Sequence, residues 1–339
     1  MKREGNLMPR IADPDNLRLA FWKAAKGKEG KREVEAFRSQ LDFCLGRLRE
    51  EFLTGDVALG DYHYFTIYDP KERTICAAPF PERVLHHALM NICHDSFEKF
   101  QVFDSYATRK GKGTYAALHR AEQFHRKYSW YLKLDVRKYF ASINHSILIQ
   151  MLERRFKDQA LLRIFSRILD SYPADHCENG LPIGNLTSQY FANHYLAPGD
   201  RFVKHEIRVP AYLRYMDDMV MWSNDKAQLL VARDRFRAYL AEHLKLSLKI
   251  EELNKTAHGM NFVGYRLFPG YTRLSRRSKK RLEKRLCEGA RKLALGDWDE
   301  AEYQRRISSV LSFVVDHAQS KALRNRILGE GSNRRATTV

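Results

Sequence analysis

Cysteine is scarce in this 339-residue chain: Cys44, Cys76, Cys93, Cys177 and Cys287, no two closer than seventeen positions. That spacing contains no Cys-x-x-Cys metal site, and an odd count argues against a closed disulfide framework, so a reducing cytoplasm is expected. Long apolar runs are missing too. None approaches the ~20 residues that cross a bilayer, and Met1-Lys2-Arg3-Glu4-Gly5 leads into polar sequence, not an apolar signal core. A soluble protein with no membrane partner is the expectation. There is no internal repeat, Pro-rich linker or low-complexity tract, so the two or three folding units implied by the length must pack directly together. Also absent are a Gly-x-x-x-x-Gly-Lys loop, a Ser/His/Asp nucleophile set and His/Cys zinc spacing.

Acid is outnumbered. Against 59 Lys and Arg stand 41 Asp and Glu, a formal charge of +18. Such a field attracts polyanions, nucleic acid first and an anionic membrane surface second. Hydrophobic residues at 44% are enough for a real core, which excludes global disorder. Between Arg273 and Lys292 ten basic residues face only Glu283 and Glu288. A solvated helix face is the plain reading of a charge run. Concentrating 8 of the 18 net charges in one segment favours a nucleic-acid contact.

Residues 15–53 read as helices broken at Gly27–Gly30, and 62–78 as strands around a turn at Asp69-Pro70. Val84, Leu85, Ala88, Leu89 and Ile92 repeat at helical spacing. Trp130 to Val136 reads as a strand, followed by a helix capped by Asn144. Leu181-Pro182-Ile183-Gly184 turns into another helix, roughly Ser188 to His205. Tyr212 to Trp222 reads as a hairpin, 226–244 as a helix and Phe262 to Phe268 as one short strand.

Asp135 closes the strand Leu132-Lys133-Leu134-Asp135-Val136, and Asp217-Asp218 sits at the tip of the apolar hairpin. An ordinary turn would explain an isolated Asp-Asp pair. Here like charges meet between apolar strands, which is costly without a cation. Hard oxygen ligands suit Mg²⁺, and two such ions can serve both oxygens of an in-line phosphoryl displacement.

At these residues the chain resembles the reverse-transcriptase family. Tyr215-Met216-Asp217-Asp218 has the form of its Tyr-x-Asp-Asp box, and Asp135 with Phe140 matches its first catalytic strand. Arg109-Lys110-Gly111-Lys112-Gly113 is similar to an Arg-rich turn of group II intron enzymes. Phe262-Val263-Gly264-Tyr265 is similar to the strand before the thumb. Most bacterial members carry Gln-Gly-x-x-x-Ser-Pro ahead of the hairpin. Ile183-Gly184-Asn185-Leu186-Thr187-Ser188-Gln189 instead resembles the reverse transcriptases of diversity-generating retroelements, as does the tail from Ser308 to His317-Ala318-Gln319.

The resemblance implies an α+β right-hand polymerase with fingers, an antiparallel palm sheet and a helical thumb. Residues 1–60 would form an N-terminal helical extension, 61–128 with parts of 145–185 the fingers, 129–272 the palm and 273–339 a basic thumb. Asp135, Asp217, Asp218 and the Val136 carbonyl would hold two Mg²⁺ ions, with Mn²⁺ as a substitute. Phe140 would bar a ribose 2′-OH, core packing being the alternative. Lys71 and Arg73 would hold triphosphate oxygens, although Lys71 equally suits a solvated turn. Ile183 and Gln189 would line the nucleotide pocket, and Lys255 would protonate pyrophosphate unless it is a plain surface lysine. Arg109, Arg276, Arg277, Lys279 and Lys280 would touch nucleic acid. The implied activity is RNA-directed DNA synthesis from deoxynucleoside triphosphates on a template RNA, with frequent errors opposite adenine and a small basic accessory protein as partner. It would act in the bacterial cytoplasm, host- or phage-encoded. Rival readings are a retron, antiphage or intron-type enzyme, and a non-catalytic RNA-binding protein on the same scaffold.

Overall fold

The computed structural model describes residues 3–59, 62–68, 72–171 and 178–315. Lys71, the Asp69-Pro70 turn, Cys177 and the tail segment His317-Ala318-Gln319 lie outside the described residues.

The chain opens on helices α1 (Met8–Ile11), α2 (Pro14–Ala25), α3 (Arg32–Ser39) and α4 (Leu41–Thr54). Asp13 caps α2 by accepting from the backbone N–H groups of Asp15 and Asn16, with Pro14 in the first helical position, where its missing N–H costs nothing. Leu17, Ala20, Phe21 and Ala24 bury one face of α2. Phe21 stacks on Phe37 at 5.6 Å and meets Phe80 edge-on at 6.0 Å. Phe80 begins α5 (Phe80–Glu98), so the N-terminal helices share one core with the rest of the chain.

Strands β1 (His63–Ile67) and β2 (Arg73–Ala77) form an antiparallel hairpin ahead of α5. Next come α6 (Thr114–Lys127), β3 (Trp130–Val136), α7 (His145–Glu153), α8 (Gln159–Asp170) and α9 (Leu186–Arg201), which runs into a π-helical turn, Phe202–Ile207. Then β4 (Ala211–Tyr215), β5 (Asp218–Ser223), α10 (Lys226–Leu244) and β6 (Leu248–Lys255) complete an antiparallel sheet of order β4-β5-β3-β6.

Strand alternation gives this sheet two buried faces. Leu132, Leu134, Val136, Tyr212, Met219 and Met221 enter a large core with α5, α7, α8, α9 and α10. Tyr131, Leu213, Val220 and Trp222 join a second core with α6. That core also receives Met260, Phe262, Tyr265 and Leu267 from a three-stranded antiparallel sheet, β7 (Met260–Phe262), β8 (Tyr265–Phe268) and β9 (Tyr271–Leu274).

Phe262 to Phe268 is therefore two strands and not one. Val263 and Gly264 both take positive φ, 41° and 92°, and reverse the chain. The boundary expected between 272 and 273 cuts through β9. Beyond it lie α11 (Arg276–Ala294), capped by Ser275, and α12 (Glu300–Val315). Among the described residues no helix is long and apolar enough to cross a membrane. The molecule is a mixed helix-and-sheet protein with antiparallel sheets.

Candidate active site

The end of β3 meets the hairpin tip because of register. Asp135 lies directly opposite Asp218 on β5, and Asp218 opposite Tyr215 on β4. Paired residues point to the same face, so Asp135 and Asp218 project away from the helix-covered core. Met216 and Asp217 make the two-residue turn between β4 and β5, with Met216 in the left-handed region at φ 57°. A side chain with a Cβ occupies that region only at some cost, so something must hold it.

That support is Arg214, which is fully buried. It grips Asp200 of α9 through Nε and Nη2 at 2.7 Å, and Nη1 donates to the Met216 carbonyl at 3.1 Å and to Asn193 Oδ1 at 3.0 Å. Tyr212 also donates to Asp200, at 2.7 Å. Burial draws the Arg214 guanidinium pKa down, and Asp200 overcompensates, leaving it above its ordinary value. An arginine inside an apolar strand is the sequence signal for this strut, and sequence reasoning passed over it.

Asp217 has its carboxyl pKa raised from 3.8 to about 6, first by burial, then by Asp135, with Asp218 adding to it and the charge of Arg73 opposing it. The three carboxylates therefore stand close enough to resist common ionisation, and Arg73 on β2 is close enough to be felt. Lys133, two positions before Asp135 and on the same face, sends Nζ to Asp218 Oδ1 at 3.1 Å and to the Asn261 carbonyl at 2.9 Å. This is a second residue that sequence reasoning missed, although the strand period alone places it beside Asp135.

Among the described residues no three His, Cys, Asp or Glu side chains already converge as a metal cage. The ammonium of Lys133 pairs with Asp218. The donor set nonetheless suits Mg²⁺ or Mn²⁺: hard oxygens, several negative charges, and a carboxyl whose pKa is raised by burial and by its acidic neighbours.

The remaining candidates fall into two groups. Phe140 is half-buried beside Tyr139, and its carbonyl accepts from Leu181 N–H at 2.8 Å, tying it to the Leu181–Gly184 loop. The carbonyl of Ile183 in turn accepts from Cys76 N–H at 2.8 Å. Gly184 has φ 132° and a Cβ there would lie 2.7 Å from the Cys76 carbonyl oxygen, so only glycine permits this docking on β2. Gln189 Oε1 accepts from Thr108 at 3.0 Å. Backbone hydrogen bonds thus link Phe140 to the Leu181–Gly184 loop and that loop to β2, the strand that Arg73 begins.

Two expectations are corrected. Lys255 pairs with Trp130, at the opposite end of β3 from Asp135, and its ammonium lies 5.5 Å from the Trp130 ring. Five residues at ~3.3 Å each separate it from the carboxylates, too far to serve pyrophosphate there. Arg109 is occupied internally. Its guanidinium pairs with Glu98 at 2.6 Å and donates to the carbonyls of Val102 and Ser105, with only 8% of the side chain exposed. It braces the loop before α6 and is not available to a phosphate. Arg276, Arg277 and Lys280 are exposed on the first turns of α11, and Lys279 is half-buried.

The model of the reverse transcriptase (RNA-dependent DNA polymerase) family matches residues 69–267, and the chain belongs to that family. It is 22% identical over 216 residues to a COX1/OXI3 intron 1 protein of Saccharomyces cerevisiae, covering 60% of this chain and 26% of the relative. Protein YkfC of Escherichia coli is 24% identical over 228 residues, 55% of this chain and 53% of the relative. An uncharacterized 91 kDa protein in the cob intron of Schizosaccharomyces pombe is 26% identical over 157 residues, 44% and 18% respectively. The chain thus spans from under a fifth to about half the length of these relatives.

Proposed function

We propose that this protein is an RNA-directed DNA polymerase whose catalytic carboxylates are Asp135, Asp217 and Asp218. The observation that carries the reading is Asp217, buried between two other carboxylates and facing Arg73. Two divalent ions held by these side chains and the Val136 carbonyl would stabilise the attacking 3′-oxygen and the departing pyrophosphate oxygen. Arg73 binds triphosphate oxygens, bidentate geometry suiting a guanidinium. Phe140 bars the ribose 2′-OH, and Ile183 and Gln189 border the nucleotide. The four-stranded sheet acts as the palm, the β1–β2 hairpin as part of the fingers and α11 as the start of the thumb, resting on the duplex backbone. Primer extension on an RNA template tests the reading, and a folded, RNA-binding protein inert with every divalent metal would sink it.

Within the family, the run Ile183 to Gln189 supports the diversity-generating retroelement type, with a template RNA, errors at adenine and a basic accessory protein. The names of the intron relatives favour a second reading, an intron-type enzyme. Sequencing the DNA beside the gene separates the two. Near-identical repeats differing at adenines belong to the first, and a flanking intron to the second.

A further inference from the structure

Tyr131, Lys133 and Asp135 share one face of β3 by strand alternation. The sheet register sets Val220 of β5 on one side of Lys133 and Glu252 of β6 on the other. An ordinary cross-strand ion pair would join Lys133 to Glu252. Glu252 instead accepts from the Tyr131 hydroxyl, and the Lys133 ammonium reaches diagonally to Asp218 Oδ1 at 3.1 Å. The same Nζ donates to the Asn261 carbonyl at 2.9 Å, which anchors it on β7.

The setting gives this pair more weight than a surface pair has. The Lys133 side chain is 13% exposed and that of Asp218 32%, so water screens their charges only in part. Asp218 belongs to a group of three carboxylates in which Asp135 and Asp218 both oppose ionisation of Asp217. Arg73 is the other cation felt there. A lysine suits the place beside them, being a compact point charge that a single carbonyl can hold in position. Its ammonium has two consequences of opposite sign for a metal site. It fixes the direction of one carboxylate, and it subtracts one unit from the negative charge that attracts a divalent ion.

We propose that Lys133 is a positioning residue that sets the divalent-ion requirement of the carboxylate site, aiming Asp218 and contending with the metal for it. The inference rests on the polymerase reading of Asp135, Asp217 and Asp218 and deepens it. A brace without an electrostatic role would lose turnover and metal affinity together. Lys133 should trade one against the other.

Lys133→Met removes the charge and keeps the length of the side chain, and Lys133→Gln keeps a donor for the Asn261 carbonyl as well. The probe is Mn²⁺ added to the full chain without nucleic acid, with the free ion read by electron paramagnetic resonance at constant pH. Binding should tighten by about five- to tenfold in either variant. Lys133→Arg retains the charge and should keep the parental affinity. Asp217→Asn should weaken Mn²⁺ uptake in parent and variant alike, which assigns the ion to the carboxylates. In primer extension, kcat at saturating Mg²⁺ should fall about ten- to a hundredfold in Lys133→Met with little change in the nucleotide KM. The Mg²⁺ concentration for half the maximal rate should fall as well. Unchanged or weaker Mn²⁺ binding in a folded Lys133→Met or Lys133→Gln protein, or no binding by the parent, would overturn the inference. A parent that binds Mn²⁺ yet extends no primer would defeat the polymerase reading alone, the binding shift still deciding the role of Lys133.

Discussion

Asp217, in the catalytic role proposed for it, would serve chemistry at the expense of stability. Its pKa in the fold is raised from 3.8 to about 6 by burial and by Asp135. Such an acid holds its proton more tightly folded than unfolded. Its ionisation therefore costs nothing below pH 3.8, costs progressively more up to about pH 6, and reaches a plateau above that. At 1.36 kcal/mol per unit the plateau is at most about 3 kcal/mol. Asp217→Asn should abolish primer extension and, without metal, melt a few degrees higher at pH 8. The gain should vanish near pH 4 and shrink when Mg²⁺ is added to the parent protein. Extension at the parental rate would remove Asp217 from the reaction. Phe140 poses a different question, because half-burial suits both a gate and a core residue. Phe140→Ala should admit ribonucleotides when ribo- and deoxynucleotides compete in one reaction. A purely structural Phe140 would instead lose up to the ~3–5 kcal/mol typical of buried Phe→Ala with sugar choice unchanged.

At the scale of elements, the Leu181–Gly184 loop is pinned at both ends, by Phe140 and by Cys76, which fixes the backbone at Ile183. An aliphatic there can neither donate to nor accept from a nucleotide. One hydrogen bond is worth ~0.5–1.5 kcal/mol net, so Ile183→Gln should lower misincorporation by up to about tenfold, counted separately opposite each template base. An unchanged error rate with activity retained would clear Ile183 of any part in infidelity. Helix α11 makes a claim about charge. Replacing Arg276, Arg277, Lys279 and Lys280 with Gln should lower the magnitude of the salt slope of duplex binding by up to about three to four, with kcat at saturating template nearly intact. A slope unchanged by all four would leave α11 as a solvated face.

The same scale shows what could be read from the chain alone. The β3 span, the β4–β5 hairpin, α10 and the Asn144 cap all follow local periodicity and cap chemistry, and these were legible. β6 was not, because Leu248–Lys255 is largely polar and owes its place to pairing with β3. Lys255 was misplaced for a related reason: only the antiparallel register reveals which end of the sheet it occupies. Arg109 and Arg214 look alike in sequence, yet both are internal struts, since the partners that bury them, Glu98 and Asp200, lie 11 and 14 positions away.

For the whole molecule, +18 is the dominating quantity. Two basic proteins repel each other across water, so the basic accessory partner proposed above would have to be brought to this chain by a polyanion between them. Co-purification with such a partner should depend on structured RNA, be lost after ribonuclease treatment, and return when the RNA is added back. Template-selective synthesis should accompany the ternary assembly. Strong, selective synthesis by the isolated chain would contradict this.

The Arg214–Asp200 pair carries one more implication. The charges that shape the hairpin tip are sealed from solvent, whereas those on α11 face it. Ionic strength reaches only the latter. If α11 is the template contact proposed above, raising it should weaken the supply of template while the hairpin tip keeps its shape, a separation between supply and machinery.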